Sequence, residues 1–114
     1  MIPVANAFLK EAPPRQLGAL AASLARIASS ATKPARTAAI DPMLSECIQF
    51  VEWTTPQASS KVAAEIADLR AMLMLWRDSW PHAQQNENLR SLLSFQAKKW
   101  SDQIVGYSGL LDSN

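Results

Sequence analysis

The stretch from Ser59 to Trp80, SSKVAAEIADLRAMLMLWRDSW, predicts a long helix against which the other helices pack. It contains neither glycine nor proline. Its apolar residues recur at alternating steps of four and three, which places them on one stripe of a helix. That stripe consists of Val62, Ile66, Leu69, Leu73, Trp76 and Trp80. We therefore expect it to form the centre of the hydrophobic core.

The second half of this stretch is apolar on nearly every side. Met72 and Leu75 point away from the stripe, and Arg70 and Arg77 are the charged interruptions. Such a surface must be covered by the chain's own helices or by another protein. Tryptophan, methionine and phenylalanine are common at the centres of protein interfaces. The sequence therefore predicts a protein interface at Met72, Leu75, Trp76, Trp80 and Phe95. For the tryptophans, a position in the chain's own core is the competing interpretation.

Composition favours a single all-α domain over residues 1–114. The apolar fraction of 48 % is ordinary for a folded chain, and a length of 114 residues supports one core. Glycine is scarce and good helix formers are abundant. We expect a bundle of four helices with a short extra helix at the N-terminus.

Prolines divide the N-terminal part of the chain into two predicted helices. Pro3 favours the start of a short helix over 3–12, and the following proline pair ends it. The next helix is predicted from Arg15 to about Thr32. Its apolar stripe consists of Leu17, Leu20, Leu24, Ile27 and Ala31. Alanines flank this stripe, so a neighbouring helix is expected to approach closely.

Segment 29–40 is poor in bulky residues and contains Pro34, which predicts a mobile loop. One helical turn after Pro34 is an alternative for part of this segment. The Asp-Pro pair at 41–42 then predicts a helix start, with the aspartate as N-cap and the proline at the first helical position. A helix from there to Thr54 would be about 20 Å long, against about 36 Å for the long helix. The sequence therefore predicts that this shorter helix leaves the far half of the long one uncovered.

The residues after Trp80 predict where the long helix ends and where the last helix begins. Pro81 is expected to stop the long helix, and Asn86 or Asn88 to cap the next one. Gly106 and Gly109 are expected to end it. Its predicted core stripe consists of Leu89, Leu92, Leu93, Ala97, Trp100 and Ile104.

Single cysteine and histidine residues offer little for catalysis. Cys47 excludes an internal disulfide and a cysteine-based zinc site, and its apolar neighbours predict a buried thiol. A reducing compartment, the cytoplasm, is expected from it. His82 is predicted to lie in a polar loop. Its spacing from Asp78 suits metal ligands on a helix, but Pro81 is expected to break that geometry.

Paired carboxylates are the other candidate for chemistry. Glu65 and Asp68 share one helix face, as acid–base or iron-binding pairs do, but the Glu-x-x-His pattern of metal sites in bundles is absent. Since Lys61 precedes Glu65 by four residues, a solvated ionic face is the better interpretation. No phosphate-binding glycine motif is present. We therefore expect no catalytic residue, cofactor or metal.

Positive charge is concentrated in residues 1–40, which carry five basic side chains and one acidic one. Arg15, Arg26 and Lys33 fall within about 20° of one another on a helical count, opposite the apolar stripe, and Arg36 lies beyond them. Such a row suits contact with nucleic-acid phosphates. No aromatic residue is interleaved with it, so base stacking is not expected. Ordinary solubility charge is the competing interpretation.

These features predict a non-catalytic helical interaction or scaffold subunit that works by helix packing, with a protein partner or as a homo-oligomer. The alternative is a small helical subunit that contacts nucleic acid through the basic row, on the scale of small subunits in bacterial ribonucleoprotein machines, including CRISPR effector complexes. Salt would separate the two, because phosphate binding weakens steeply with it. An enzyme has least support.

Location is predicted from the apolar runs. The longest run, Ala71–Trp76, is far too short for a membrane span. The N-terminus lacks a positive segment before an apolar core, so a secretory signal is not expected. Residues 1–40 have the alanine, serine and arginine content of an organelle transit peptide, but a folded basic helix is the preferred interpretation.

Overall fold

The computed structural model describes residues 13–112, and this part of the chain contains helices and no strand. The helices are α1 (Pro13–Ala31), α2 (Thr37–Thr54), α3 (Ser60–Ala83) and α4 (Glu87–Asp112). Single 3₁₀ turns, Pro34–Arg36 and Thr55–Gln57, lie on either side of α2. The predicted all-α, bundle-like fold is confirmed. The predicted short helix over 3–12 lies outside the described residues.

Consecutive helices run antiparallel, and α4 returns beside α1. The Trp80 indole near the end of α3 donates to the Thr37 carbonyl at the start of α2, 2.8 Å away. The Ser101 hydroxyl of α4 donates to the Ala21 carbonyl of α1, also over 2.8 Å. This is the up-down-up-down arrangement that short connections favour.

One hydrophobic cluster joins all four helices. The predicted stripes of α1 and α3 are buried throughout, as their helical spacing requires. In α4 the buried positions are Leu93, Ala97 and Ile104. Leu92 was predicted to belong to the same stripe, but its side chain is 43 % exposed. The placement of α3 beside α4 leaves it at the edge of the core.

The predicted loop over 29–40 is wrong for most of its length. Helix α1 continues to Ala31, and α2 begins at Thr37, four residues before the Asp-Pro pair. The turn at Pro34 aims the chain into α2, because the Thr37 N–H and hydroxyl both donate to the Pro34 carbonyl. Ile40 is then fully buried, and Pro42 is accommodated inside the helix at the loss of one backbone hydrogen bond.

The early start of α2 overturns the prediction that it falls short of the end of α3. Its 18 residues make it about 27 Å long. It reaches Trp80, whose side chain is 2 % exposed and belongs to the core. The apolar surface left on α3 therefore does not face α2.

One helix end follows its predicted cap, and three depart from the prediction. Asn86 caps α4 by accepting the Leu89 N–H. Thr55, which precedes Pro56, was expected to cap the long helix, but the Ser59 hydroxyl caps α3 instead by accepting the Val62 N–H. Pro81 lies inside the last turn of α3, where it removes one hydrogen bond without stopping the helix. Both late glycines lie within α4, which continues to Asp112.

Candidate protein-interaction surface

An open apolar groove lies between α3 and α4. Met72 and Leu75 line it from α3, with 37 % and 61 % of their side chains exposed, and Leu92 lines it from α4. The groove has a volume of about 390 Å³. Its complete lining is Met72, Leu75, Trp76, Ser79, His82, Ala83, Leu89, Leu92 and Gln96. We call this surface the α3–α4 groove.

Large side chains keep α3 and α4 apart over most of their length. Their backbones approach each other at few positions, whereas α1 and α4 pack closely along their length. Trp76 forms the floor of the groove and is almost fully buried. Its indole N–H donates to the Gln96 side chain across the groove over 2.8 Å. This bond satisfies the buried indole N–H and fixes the ring in place.

The surface becomes polar towards the end of the bundle where α3 begins. Glu65, Asp68, Met72 and Gln103 contribute to a smaller depression there. The Tyr107 hydroxyl of α4 faces the Glu65 carboxylate of α3. Burial, the Glu65 charge and the hydrogen-bonding influence of that carboxylate raise the pKa of Tyr107. Glu65 therefore lies against α4 at this end of the groove. Lys61, Glu65 and Asp68 are all exposed, as the predicted solvated ionic face requires.

The five predicted interface residues occupy three different environments. Met72 and Leu75 are exposed in the groove, and Trp76 is its floor. Phe95 is 69 % exposed on the outer side of α4, beside an open depression of about 530 Å³ that it shares with α1. Trp80 belongs to the core and was wrongly placed at the interface, because the sequence did not reveal that α2 covers it.

Leu92 is the groove residue that the sequence analysis missed. Its spacing from Leu93 and Leu89 is compatible with a core position, so periodicity alone did not separate it from its neighbours. The relative placement of α3 and α4 is what exposes it. Its partner across the groove, Leu75, was identified because it lies opposite the core stripe of its own helix.

The predicted basic row does not persist as one helix face. Arg26 pairs with Glu46 of α2 over 3.1 Å and also donates to the Ser23 hydroxyl. Lys33 lies beyond the end of α1 with an extended backbone, so the helical count does not apply to it. Arg36 lies in the 3₁₀ turn. Arg15 is exposed in the first turns of α1, at the opposite end of the bundle from Lys33.

The candidate chemical groups remain separate from one another. Cys47 is fully buried, and burial, reinforced by Glu46 and opposed by Arg26, raises the pKa of its thiol to about 12. A thiol with that pKa stays protonated at neutral pH and is a poor nucleophile. His82 is exposed in the last turn of α3 instead of a loop. Across the described residues, no group of three or more histidine, cysteine, aspartate or glutamate side chains could hold a metal ion.

Comparisons of the chain with protein-family models, with curated proteins and with solved structures found no match. Within residues 13–112, no helix combines the length and apolarity that crossing a membrane requires. Function is therefore inferred from the geometry of the surface itself, whose most distinctive feature is the α3–α4 groove.

Proposed function

We propose that this chain is a non-catalytic helical subunit that assembles with another protein through the α3–α4 groove. The observation that carries the proposal is the exposure of Leu75, Met72 and Leu92 around one apolar groove. A contiguous apolar patch costs free energy in water, and on a folded protein it commonly marks a contact site. The apolar composition of this patch favours contact with another protein as its function.

The distribution of polar groups around the groove supports the proposal. Interfaces have an apolar centre depleted of charge and a polar rim. Here Leu75 and Met72 lie at the centre, and exposed charged residues lie beyond them, at Asp68 and Asp78 on α3 and at Lys98 and Lys99 on α4. The Trp76–Gln96 hydrogen bond holds the floor in one conformation. A surface that is already ordered loses less conformational entropy when a partner binds.

The shape of the groove favours a helical partner. Two antiparallel helices held apart by large side chains leave a channel that accepts the ridge of another helix. Leu75 and Leu92 stand on its two sides. A partner helix would contact both and cover Trp76 from outside. A cytoplasmic location is part of the same proposal, because a free buried thiol such as Cys47 is typical of a reducing compartment.

The nucleic-acid alternative takes second place. Pairing with Glu46 neutralises Arg26, which was the middle of the predicted row. Lys33 and Arg36 are exposed and form no ion pair with the described residues. Two cations in one turn support weaker and less directional phosphate binding than a full row would. No observation in the fold favours this alternative over assembly through the groove.

Site-specific photo-cross-linking tests the proposal directly. A photo-reactive phenylalanine analogue at position 75, introduced in the cells that make the protein, should yield one discrete protein adduct. The matched control is the same analogue at Val105, which is 57 % exposed on α4 away from the groove. It should yield no such adduct. Absence of an adduct from position 75 in correctly folded protein would contradict assembly through this surface.

A further inference from the structure

We propose that the partner over the α3–α4 groove is a second copy of this chain, related by a two-fold axis parallel to the helices. In this arrangement α3 of each copy lies over α4 of the other. The inference rests on the proposed function of the groove as an interface and adds the identity and orientation of the occupant. Three features support it: the charges beside the groove, the positions of these charges along the bundle axis, and the area of the face that α3 and α4 form.

The charges that flank the groove are complementary between its two sides. On α3, Asp68, Met72 and Leu75 follow one another at steps of four and three and share one face. On α4, Lys99 lies four residues from Phe95 on the same outward face. Asp68 and Lys99 are both exposed, and neither forms an ion pair with the described residues. The neighbouring Lys98 is already paired with Asp102.

Both charges lie on the same side of their apolar neighbours along the bundle axis. Trp76 is level with Gln96, since their side chains are 2.8 Å apart. Asp68 is eight residues below Trp76, and Lys99 is three residues below Gln96 on the antiparallel helix. The two charges therefore differ in level by about 7.5 Å, at a rise of 1.5 Å per residue. A lysine side chain can span that offset.

A two-fold axis parallel to the helices preserves these levels. It brings Asp68 of one copy towards Lys99 of the other, and the symmetry makes this pair twice. Asp102 of the other copy is nearer to Asp68 in level, within about 3 Å, but its charge is offset by its own pair with Lys98. Leu75 and Phe95, the two most exposed large apolar side chains of the described residues, then differ in level by about 3 Å between copies. An axis perpendicular to the helices would instead place α3 against α3, and it would leave Asp68 without Lys99.

The area of this face suits a stable dimer. Two helices about 36 Å long and about 10 Å wide present a face of roughly 700 Å² per copy. A standard interface buries roughly 800 Å² per partner. The apolar centre alone is smaller than this, so the charged rim that contains Asp68 and Lys99 belongs to the buried face.

Charge exchange between two variants tests the proposal with the purified full-length chain. By sedimentation equilibrium at low salt, the wild type should have twice the 12.5 kDa mass of one chain. Asp68→Lys and Lys99→Glu should each weaken the dimer about tenfold, because each places like charges opposite each other twice. An equimolar mixture of the two variants should recover the wild-type affinity, since both pairs in the mixed dimer are then opposite in sign.

The control variant is Asp41→Lys, which makes the same charge change at an exposed position of α2, away from the α3–α4 groove. It should leave the dimer unchanged, and all variants should keep the helical circular-dichroism signal. A monomeric wild type at 100 μM, or a mixture that associates no better than the single variants, would overturn the second-copy proposal. A cross-linked adduct from position 75 with a different protein would then still support the proposed function.

Discussion

Helix α4 has two contrasting sides, a seam with α1 in which the backbones pack closely and a groove with α3 in which they stay apart. In the seam, Ser94 and Ser101 donate to carbonyl groups of α1 over 2.6 and 2.8 Å, and Ala21 lies opposite as a buried small residue. In the groove, the residues that α3 turns towards α4 include the large Trp76 and Leu75. In the seam, the residues between α1 and α4 are small alanine and serine side chains. Small side chains allow two backbones to approach, whereas large ones hold them apart.

The contrast separates two uses of apolar surface on one helix. The seam buries its surface inside the chain, so its free energy contributes to folding. The groove leaves Leu75 and Leu92 in water, so the free energy of covering them is available for association. We infer that the seam maintains the fold and that the groove serves assembly, and substitutions on the two sides should therefore have different consequences.

The largest effect is expected from overfilling the seam. Ala21→Leu adds three carbon atoms where Ala21 is 3 % exposed and α4 is close. We expect the free energy of unfolding in urea to fall by about 3 kcal/mol, the upper part of the range for overpacked sites. Leu92→Ala, the reverse change in the groove, removes three carbon atoms. It should lower the free energy of unfolding by less than about 1 kcal/mol, since Leu92 is already half-exposed. Equal losses at both positions would remove the distinction between seam and groove.

A smaller effect is expected at the polar end of the groove, where Tyr107 faces Glu65. Because folding raises the pKa of Tyr107 above its usual 10.0, the tyrosine stabilises the fold fully below pH 10 and less as the pH rises through the folded pKa. The free energy of unfolding should therefore fall above pH 10 in the wild type. Tyr107→Phe should show a shallower decline. Identical slopes would show that folding does not raise the pKa of Tyr107.

Periodicity predicted the seam and core better than it predicted the groove. The stripes of α1 and α3 follow from spacing alone, because one face of each helix carries nearly all its large apolar residues. The start of α2 at Thr37 was missed, since it depends on the distant Trp80 indole and on the burial of Ile40. Local sequence there, with Pro34 and small residues, resembles a loop.

Part of the candidate site was also predictable from spacing within a single helix. Met72 and Leu75 were identified because they lie opposite the stripe of their own helix, a property of one segment. Leu92 and Trp80 were misplaced because their exposure depends on which other helix lies beside them. Lys33 was assigned to a helical face that ends before it. Properties that depend on how two helices lie relative to each other could not be predicted from the pattern of a single segment.

The most direct test of the central claim is the native mass of the assembly that contains this chain, measured in extract from the cells that make it. Leu75→Glu should reduce that mass to the mass of one chain, because covering the groove would bury a carboxylate. The purified variant should keep its helical signal and cooperative melting, since Leu75 is mostly exposed. Val105→Glu should leave the mass unchanged. An unchanged mass for Leu75→Glu, or loss of folding in the purified variant, would contradict the assignment of the α3–α4 groove as an interface.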